Sequence, residues 1–158
     1  MPNWIEGTMK LRGKREDIHR FFKEGLEPSS WTGETDNKLE DQVQDDSDED
    51  LLWFNFKDQP HIVGTRRVFI TDDCVEMSTD EGVACVNIKQ AWRFTTEGNV
   101  NAWKEISAKF NVDIKLFGIE CGMRFEQEII IRRGSETIIN EKKYEDWDWE
   151  CPFPNMGG

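Results

Sequence analysis

Carboxylates are the chemistry that this sequence concentrates. Nine of them fall between residues 34 and 50: Glu34, Asp36, Glu40, Asp41, Asp45, Asp46, Asp48, Glu49 and Asp50. Acids at this density can chelate a hard cation or meet the lysines and arginines of a partner. The run lacks the alternating ligands and central glycine of a calcium loop, so no metal is assigned to it. Ordered against a cationic surface, the same groups would make charge-assisted contacts and release small ions as a phosphate backbone does. Mimicry of nucleic acid toward a basic protein surface is the expected use. Trp31 and Trp53 flank the run as candidate apolar anchors.

Other chemistries find less support. The chain has two histidines. His19 sits on the polar flank of a helical pattern and His61 follows Pro60, neither beside a nucleophile or acid in a known arrangement. HExxH, phosphate-loop and GxGxxG signatures are absent. Cys74, Cys85, Cys121 and Cys151 show no CxxC spacing, which predicts reduced thiols packed as small hydrophobes, with no cofactor.

A nucleic-acid interface is the rival expectation. Trp92, Phe94 or Phe117 would stack on bases and Arg66, Arg67, Arg132 and Arg133 would contact phosphates. Opposing it, the net charge is -12, and a field of that sign repels a phosphate backbone. The acidity is local. Residues 31–60 carry two basic and ten acidic side chains, whereas residues 1–30 carry six and five.

The elements that must position these groups follow from apolar spacing. With 37% hydrophobic residues, including 10 Phe and 7 Trp, the chain can close one core without staples. A single domain over 1–158 is expected. No run approaches the roughly 18 to 20 apolar residues that cross a bilayer, and Met1-Pro2-Asn3-Trp4-Ile5-Glu6 lacks the flank and core of a signal peptide. Residence in the compartment of synthesis, the cytoplasm, is the expectation.

Alternation predicts a strand over Thr8 to Gly13, then spacing through Ile18, Phe21, Phe22 and Leu26 predicts a helix from Arg15 to Leu26, ended by Gly25 or by Glu27-Pro28. Residues 28–50 read as a long acidic loop or partly disordered insertion, with Trp31, Leu39 and Val43 available to pin parts of it to the body. Leu51 to Phe56 reads as a strand with Leu52, Phe54 and Phe56 inward. Thr65 to Thr71 and Cys74 to Thr79 flank an Asp72-Asp73 turn, with Val68, Ile70, Val75 and Met77 inward. Val83 to Thr96 is one bent strand or two. A helix over Val100 to Phe110, capped by Asn99 or Asn101, carries Trp103 and Ile106 inward. Asp113 to Phe117 returns to period two, and Phe125 to Arg133 with Thr137 to Lys143 forms a hairpin. In the tail, 144–158, Trp147 and Trp149 fall on one face of a strand that covers the sheet, pairs with a second copy or meets a partner. The order of elements predicts an α+β fold: an antiparallel sheet with two helices on one face, a ferredoxin-like split βαβ core with an elaborated, strand-rich middle.

The opening Met1-Pro2-Asn3-Trp4, the strand TMKLRG, the helix KREDIHRFF and the later AWRFTTEGNVNAWKEISAKFNVDIKLFGIECGMRF resemble the Api92-like, or YubB-like, family of phage- and plasmid-encoded proteins with a ferredoxin-like domain. The chain departs from that pattern at Ile5 and at Thr95 to Asn99. The resemblance implies a fold and a context, an accessory gene of a virus or mobile element, and many such genes counter host defences by binding protein. Together with the acidic run it implies a noncatalytic, anti-CRISPR-like inhibitor of a host nucleic-acid-targeting defence protein.

Overall fold

A computed structural model describes residues 3–29, 38–78, 80 and 82–158. Its elements are, in order, β1 (Trp4–Arg12), α1 (Arg15–Glu24), β2 (Leu26–Glu27), α2 (Leu39–Gln42), β3 (Val43–Asp45), β4 (Leu51–Phe56), β5 (His61–Ile62), β6 (Val68–Ile70), β7 (Cys74–Ser78), β8 (Val83–Ala91), α3 (Glu97–Phe110), β9 (Asp113–Glu120), β10 (Phe125–Arg132), β11 (Glu136–Lys143) and α4 (Trp147–Glu150).

Eight strands form one antiparallel sheet in the order β11-β10-β9-β1-β8-β6-β5-β2, and β3-β4-β7 form a second. β8 and β9 both run antiparallel to β1 and flank it, with α3 linking them. Alternation sets the faces. Ile5, Met9 and Leu11 of β1, Ile114 and Leu116 of β9, and Ile129 and Ile131 of β10 are buried in one core with Ile18, Phe21 and Phe22 of α1 and Trp103, Ile106 and Phe110 of α3. The expected mixed α+β fold, with both main helices on one face of an antiparallel sheet, is what the chain forms. Phe21 meets Phe110 edge-on at 5.4 Å, joining the two helices. Phe22 touches Phe54 and Phe56 at 5.5 and 5.8 Å, so the small sheet closes onto α1.

β1 begins at Trp4, ahead of the expected Thr8, because Gly7 occupies an inward position where the alternation lacks a side chain. Gly7 pairs with Gly118 of β9, and a Cβ on Gly7 would lie 1.9 Å from the Phe117 carbonyl oxygen. The two glycines let the strands approach closely. α3 begins at Glu97, before the expected Val100; its cap position is Thr96, and Asn99 instead donates to the Arg93 carbonyl at 2.8 Å. At its other end Asn111 adopts φ 54, the left-handed residue that ends many helices.

Two expectations are corrected in the middle and the tail. Part of 28–50 is ordered as α2 and β3, because Leu39 and Val43 pack on the core and Gln42 is buried. The strand expected at Trp147-Asp148-Trp149 is instead the short α4, which separates the two indoles: Trp147 is buried and Trp149 is 87% exposed. Tyr144, Trp147 and Cys151 form a second small core with Ile119 on the face of the sheet opposite α1 and α3, and Phe117, Cys121 and Met156 pack against it.

Candidate partner-binding surface

The acidic run becomes a hairpin tip between β3 and β4. Its main chain is closed by Asp46 N–H to Trp53 O and Asp48 N–H to Leu51 O, both 2.9 Å. Aspartates shape the turn themselves. Asp45 Oδ1 accepts from Ser47 N–H at 3.1 Å, and Asp48 Oδ1 accepts from Asp50 and Leu51 N–H at 2.9 and 2.8 Å, the side-chain-to-backbone turn that favours Asp in loops. Asp46 accepts from Gln44 Nε2 at 3.0 Å and Asn55 Nδ2 at 2.7 Å. Arg15, at the start of α1, holds the tip from below: its guanidinium donates to the carbonyls of Asp48 and Leu51 and not to a carboxylate.

His19 Nε2 lies 2.8 Å from Asp45 Oδ2. Partial burial works against the Asp45 carboxylate, but hydrogen bonds from Ser47 and the His19 contact outweigh it and hold its pKa below the ordinary aspartate value. Among the described residues no lysine or arginine forms an ion pair with Asp45, Asp46, Asp48, Glu49 or Asp50, and all five are exposed, as are Glu40 and Asp41 on α2. Trp53 is half-buried beside them, its Nε1–H donating to Asn55 Oδ1 at 3.1 Å. Glu34, Asp36 and Trp31 lie outside the described residues.

The rival residues do not converge. Phe94, expected to stack on a base, is fully buried, because Gly118 leaves room for its ring on the sheet. Trp92 is 49% exposed and holds φ 68; the backbone of Arg67 reaches the neighbouring Ala91, while Arg132 and Arg133 lie at the other end of the sheet. The Ala91 N–H to Arg67 O bond and the Asp113–Arg132 pairing place the two arginine pairs at opposite strand ends, roughly 30 Å apart from strand rise and spacing. Phe117 is covered in part by the tail.

Several contacts were invisible to spacing. His61 is in β5, with Nδ1 2.6 Å from Glu27 Oε1 and Nε2 3.3 Å from Thr65 Oγ1. The order carboxylate, imidazole, hydroxyl is that of a nucleophile triad. Here the Thr65 hydroxyl donates to Ile62 O at 2.6 Å, so its proton is not directed at the imidazole. On the face of the large sheet opposite α1 and α3, Lys10, Arg12, Lys115 and Arg132 line a depression of about 350 Å³. Three of these cations are partnered: Arg12 by Asp113 at 2.8 Å, Lys115 by Glu128 and Arg132 by Glu136 at 3.0 Å each. Strand register brings these groups together from positions more than a hundred residues apart, and no local motif announces it.

Among the described residues no three His, Cys, Asp or Glu side chains gather in a way that could hold a metal ion, and no helix is long and apolar enough to cross a membrane. No family model matches the chain, and neither a curated protein nor a solved structure is found to match it.

Proposed function

We propose that this chain is a noncatalytic, protein-binding accessory factor of a phage or mobile element. In this reading it blocks a basic, nucleic-acid-binding surface of a host defence protein in the host cytoplasm. One observation carries the reading: five carboxylates, from Asp45 to Asp50, stand exposed on a hairpin tip whose backbone is fixed and which no lysine or arginine among the described residues neutralises. A fixed array of like charge is costly to maintain in isolation and is relieved by a cationic partner, which gains long-range steering and charge-assisted hydrogen bonds. Trp53 beside the tip supplies an apolar contact.

The ferredoxin-like reading of the core belongs to this proposal. It is supported by the antiparallel order β9-β1-β8-β6, with α1 following β1 and α3 linking β8 to β9; the remaining strands are then elaborations. The resemblance to the Api92-like family is consistent with that core and supplies the mobile-element context.

The test separates charge from fold. Glu40, Asp41, Glu49 and Asp50 make no side-chain hydrogen bond to a described residue that shapes the turn, so Glu40→Gln, Asp41→Asn, Glu49→Gln and Asp50→Asn together remove four charges while sparing Asp45, Asp46 and Asp48. Capture from a host lysate with the wild-type chain should retain a basic partner whose binding weakens steeply with salt and falls at least about 10-fold in the fourfold variant. Equal capture by both proteins would reject the mimicry. Retention of single-stranded nucleic acid instead would favour the rival interface.

A further inference from the structure

β11 is the outermost strand of the large sheet, and it is long and regular for an edge. Its register against β10 runs unbroken from Arg132↔Glu136 to Phe125↔Lys143. The opposite edge, β2, is two residues. Edge strands are usually shortened, bulged or interrupted by proline, because their unpaired N–H and C=O groups invite another strand. Neither proline nor bulge occurs in β11; only its charges guard it.

The hydrogen-bond phase shows which groups are unpaired. Tyr144 N–H donates to Arg124 O at 3.0 Å, and Ser135 N–H to Arg132 O at 3.0 Å. In an antiparallel pair the bonded positions alternate. Even-numbered residues of β11 therefore turn their N–H and C=O toward β10, and Thr137, Ile139, Glu141 and Lys143 turn theirs outward. Side chains follow the same period. Glu136, Ile138, Asn140 and Lys142 lie on the face away from α1 and α3, opposite Arg132, Ile130, Glu128 and Glu126, whereas Ile139 lies on the face of α1 and α3 and is 48% exposed.

We propose that β11 is a self-association edge, at which two copies of this chain pair antiparallel about Ile139 and continue the large sheet from one copy into the other. The argument is the register. A two-fold join must set outward residues against outward residues. The join centred on Ile139 places Ile139 against its own copy, Thr137 against Glu141, and Glu136 against Lys142, giving about six main-chain hydrogen bonds. Both ends then carry opposite charges face to face, and each Glu136 gains a lysine beside the Arg132 that already holds it at 3.0 Å. A join centred on Glu141 would oppose two glutamates. One centred on Asn140 would set Ile138 against Lys142 and Ile139 against Glu141, with no complementary pair. Glu141 does not disturb the favoured register, because Arg93 neutralises it at 2.8 Å. The two-fold axis stands perpendicular to the sheet, so the α3 helices of both copies lie on one side, separated by the two edge strands with the two Ile139 side chains between them. The interface is short, so the dimer is a reversible one that fills at high concentration.

The proposal does not depend on the acidic hairpin having a partner, and it is tested on the full chain. Sedimentation equilibrium from about 10 μM to about 1 mM should show the average mass rising reversibly toward twice that of the monomer. Glu136→Lys or Lys142→Glu alone sets like charges opposite each other twice and should weaken association about 10-fold. The double variant E136K/K142E exchanges the two signs and should return it to within about 3-fold of wild type. Amide exchange at Thr137, Ile139 and Glu141 should slow with protein concentration while Ile138 and Asn140, already bonded to β10, should not change. This last measurement needs no variant and so decides the matter even if a substitution unfolds the chain. A monomer at the highest concentration, a dimer indifferent to both reversals, a double variant no better than the singles, or slowed exchange elsewhere would each overturn it.

Discussion

The ring of Phe94 rests on Gly118: a Cβ built on that glycine would meet Phe94 Cε2 and Cζ at 2.9 Å and Ile5 Cγ1 at 2.7 Å. Sheet, loop and helix face meet at this point, where Phe94 N–H also donates to the buried Gln127 Oε1 at 2.9 Å. Gly118→Ala should force the ring off the sheet and cost about 2 kcal/mol, the usual scale for overpacking a core. Denaturant unfolding of the variant checks this, and an unchanged midpoint would show that the slot has room.

Trp147 and Trp149, two residues apart, should respond oppositely to truncation. Trp147 is buried, meets Tyr144 edge-on at 5.4 Å and donates from Nε1 to Pro154 O at 3.0 Å; Trp147→Ala should cost about 3 kcal/mol. Trp149 is 87% exposed, and Trp149→Ala should stay within about 0.5 kcal/mol of wild type. Thermal unfolding of the pair distinguishes this α4 geometry from a strand, in which both indoles would share one environment.

Asp45 should make the hairpin tip sensitive to acid. Its carboxyl titrates lower in the folded chain than the ordinary aspartate value of 3.8, so the folded state binds fewer protons than the unfolded state just below that value. The stabilisation is present above the unfolded pKa and disappears as pH falls through the folded one. Asp45→Asn should remove that part of the acid-side slope, and the stability difference between variant and wild type should shrink as pH drops below 3.8. A difference that is constant with pH would contradict it.

Tyr144 is the chain's single tyrosine, which makes its titration readable by phenolate absorbance. Burial, reinforced by donation of its hydroxyl to Glu126 and by the charges around it, raises its pKa above 10.0. Its neutral form is the one the fold favours, so this stabilisation is complete below pH 10.0 and is lost as pH rises through the folded value. The phenolate band should therefore emerge at higher pH in the native chain than in denaturant; coincident curves would show an exposed hydroxyl.

How much of this could be read from the sequence depends on whether a residue's neighbours are local. Leu52, Phe54 and Phe56 declared β4 by simple alternation, and Phe125 to Lys143 declared a hairpin, because burial on one face leaves a period of two. The first turn of α3 was hidden because Glu97, Gly98 and Asn99 bring no apolar side chain. β3 was hidden because Val43 alone of its three residues is apolar. Trp147-Asp148-Trp149 fits a strand by alternation, and the packing of Trp147 with Tyr144 on the distant Ile119 decides that one indole turns inward. The acids of the candidate surface were legible as composition. Their use as turn-forming acceptors, and the hold of Arg15 on their carbonyls, depend on a fold that brings positions over thirty residues apart into contact.

Between β2 and β8 the backbone passes from one sheet to the other four times, and β6 and β7, though they flank the Asp72-Asp73 turn, lie in different sheets. At that turn Asp72 ties itself to β8 by accepting from Asn87 N–H at 2.6 Å and Asn87 Nδ2 at 2.7 Å. Neither layer can therefore be assembled ahead of the other, and unfolding should be a single concerted event. A synthetic peptide spanning the acidic loop would carry its charges but not their arrangement, since the strand that braces it, β7, reaches it only after the chain has twice visited the larger layer.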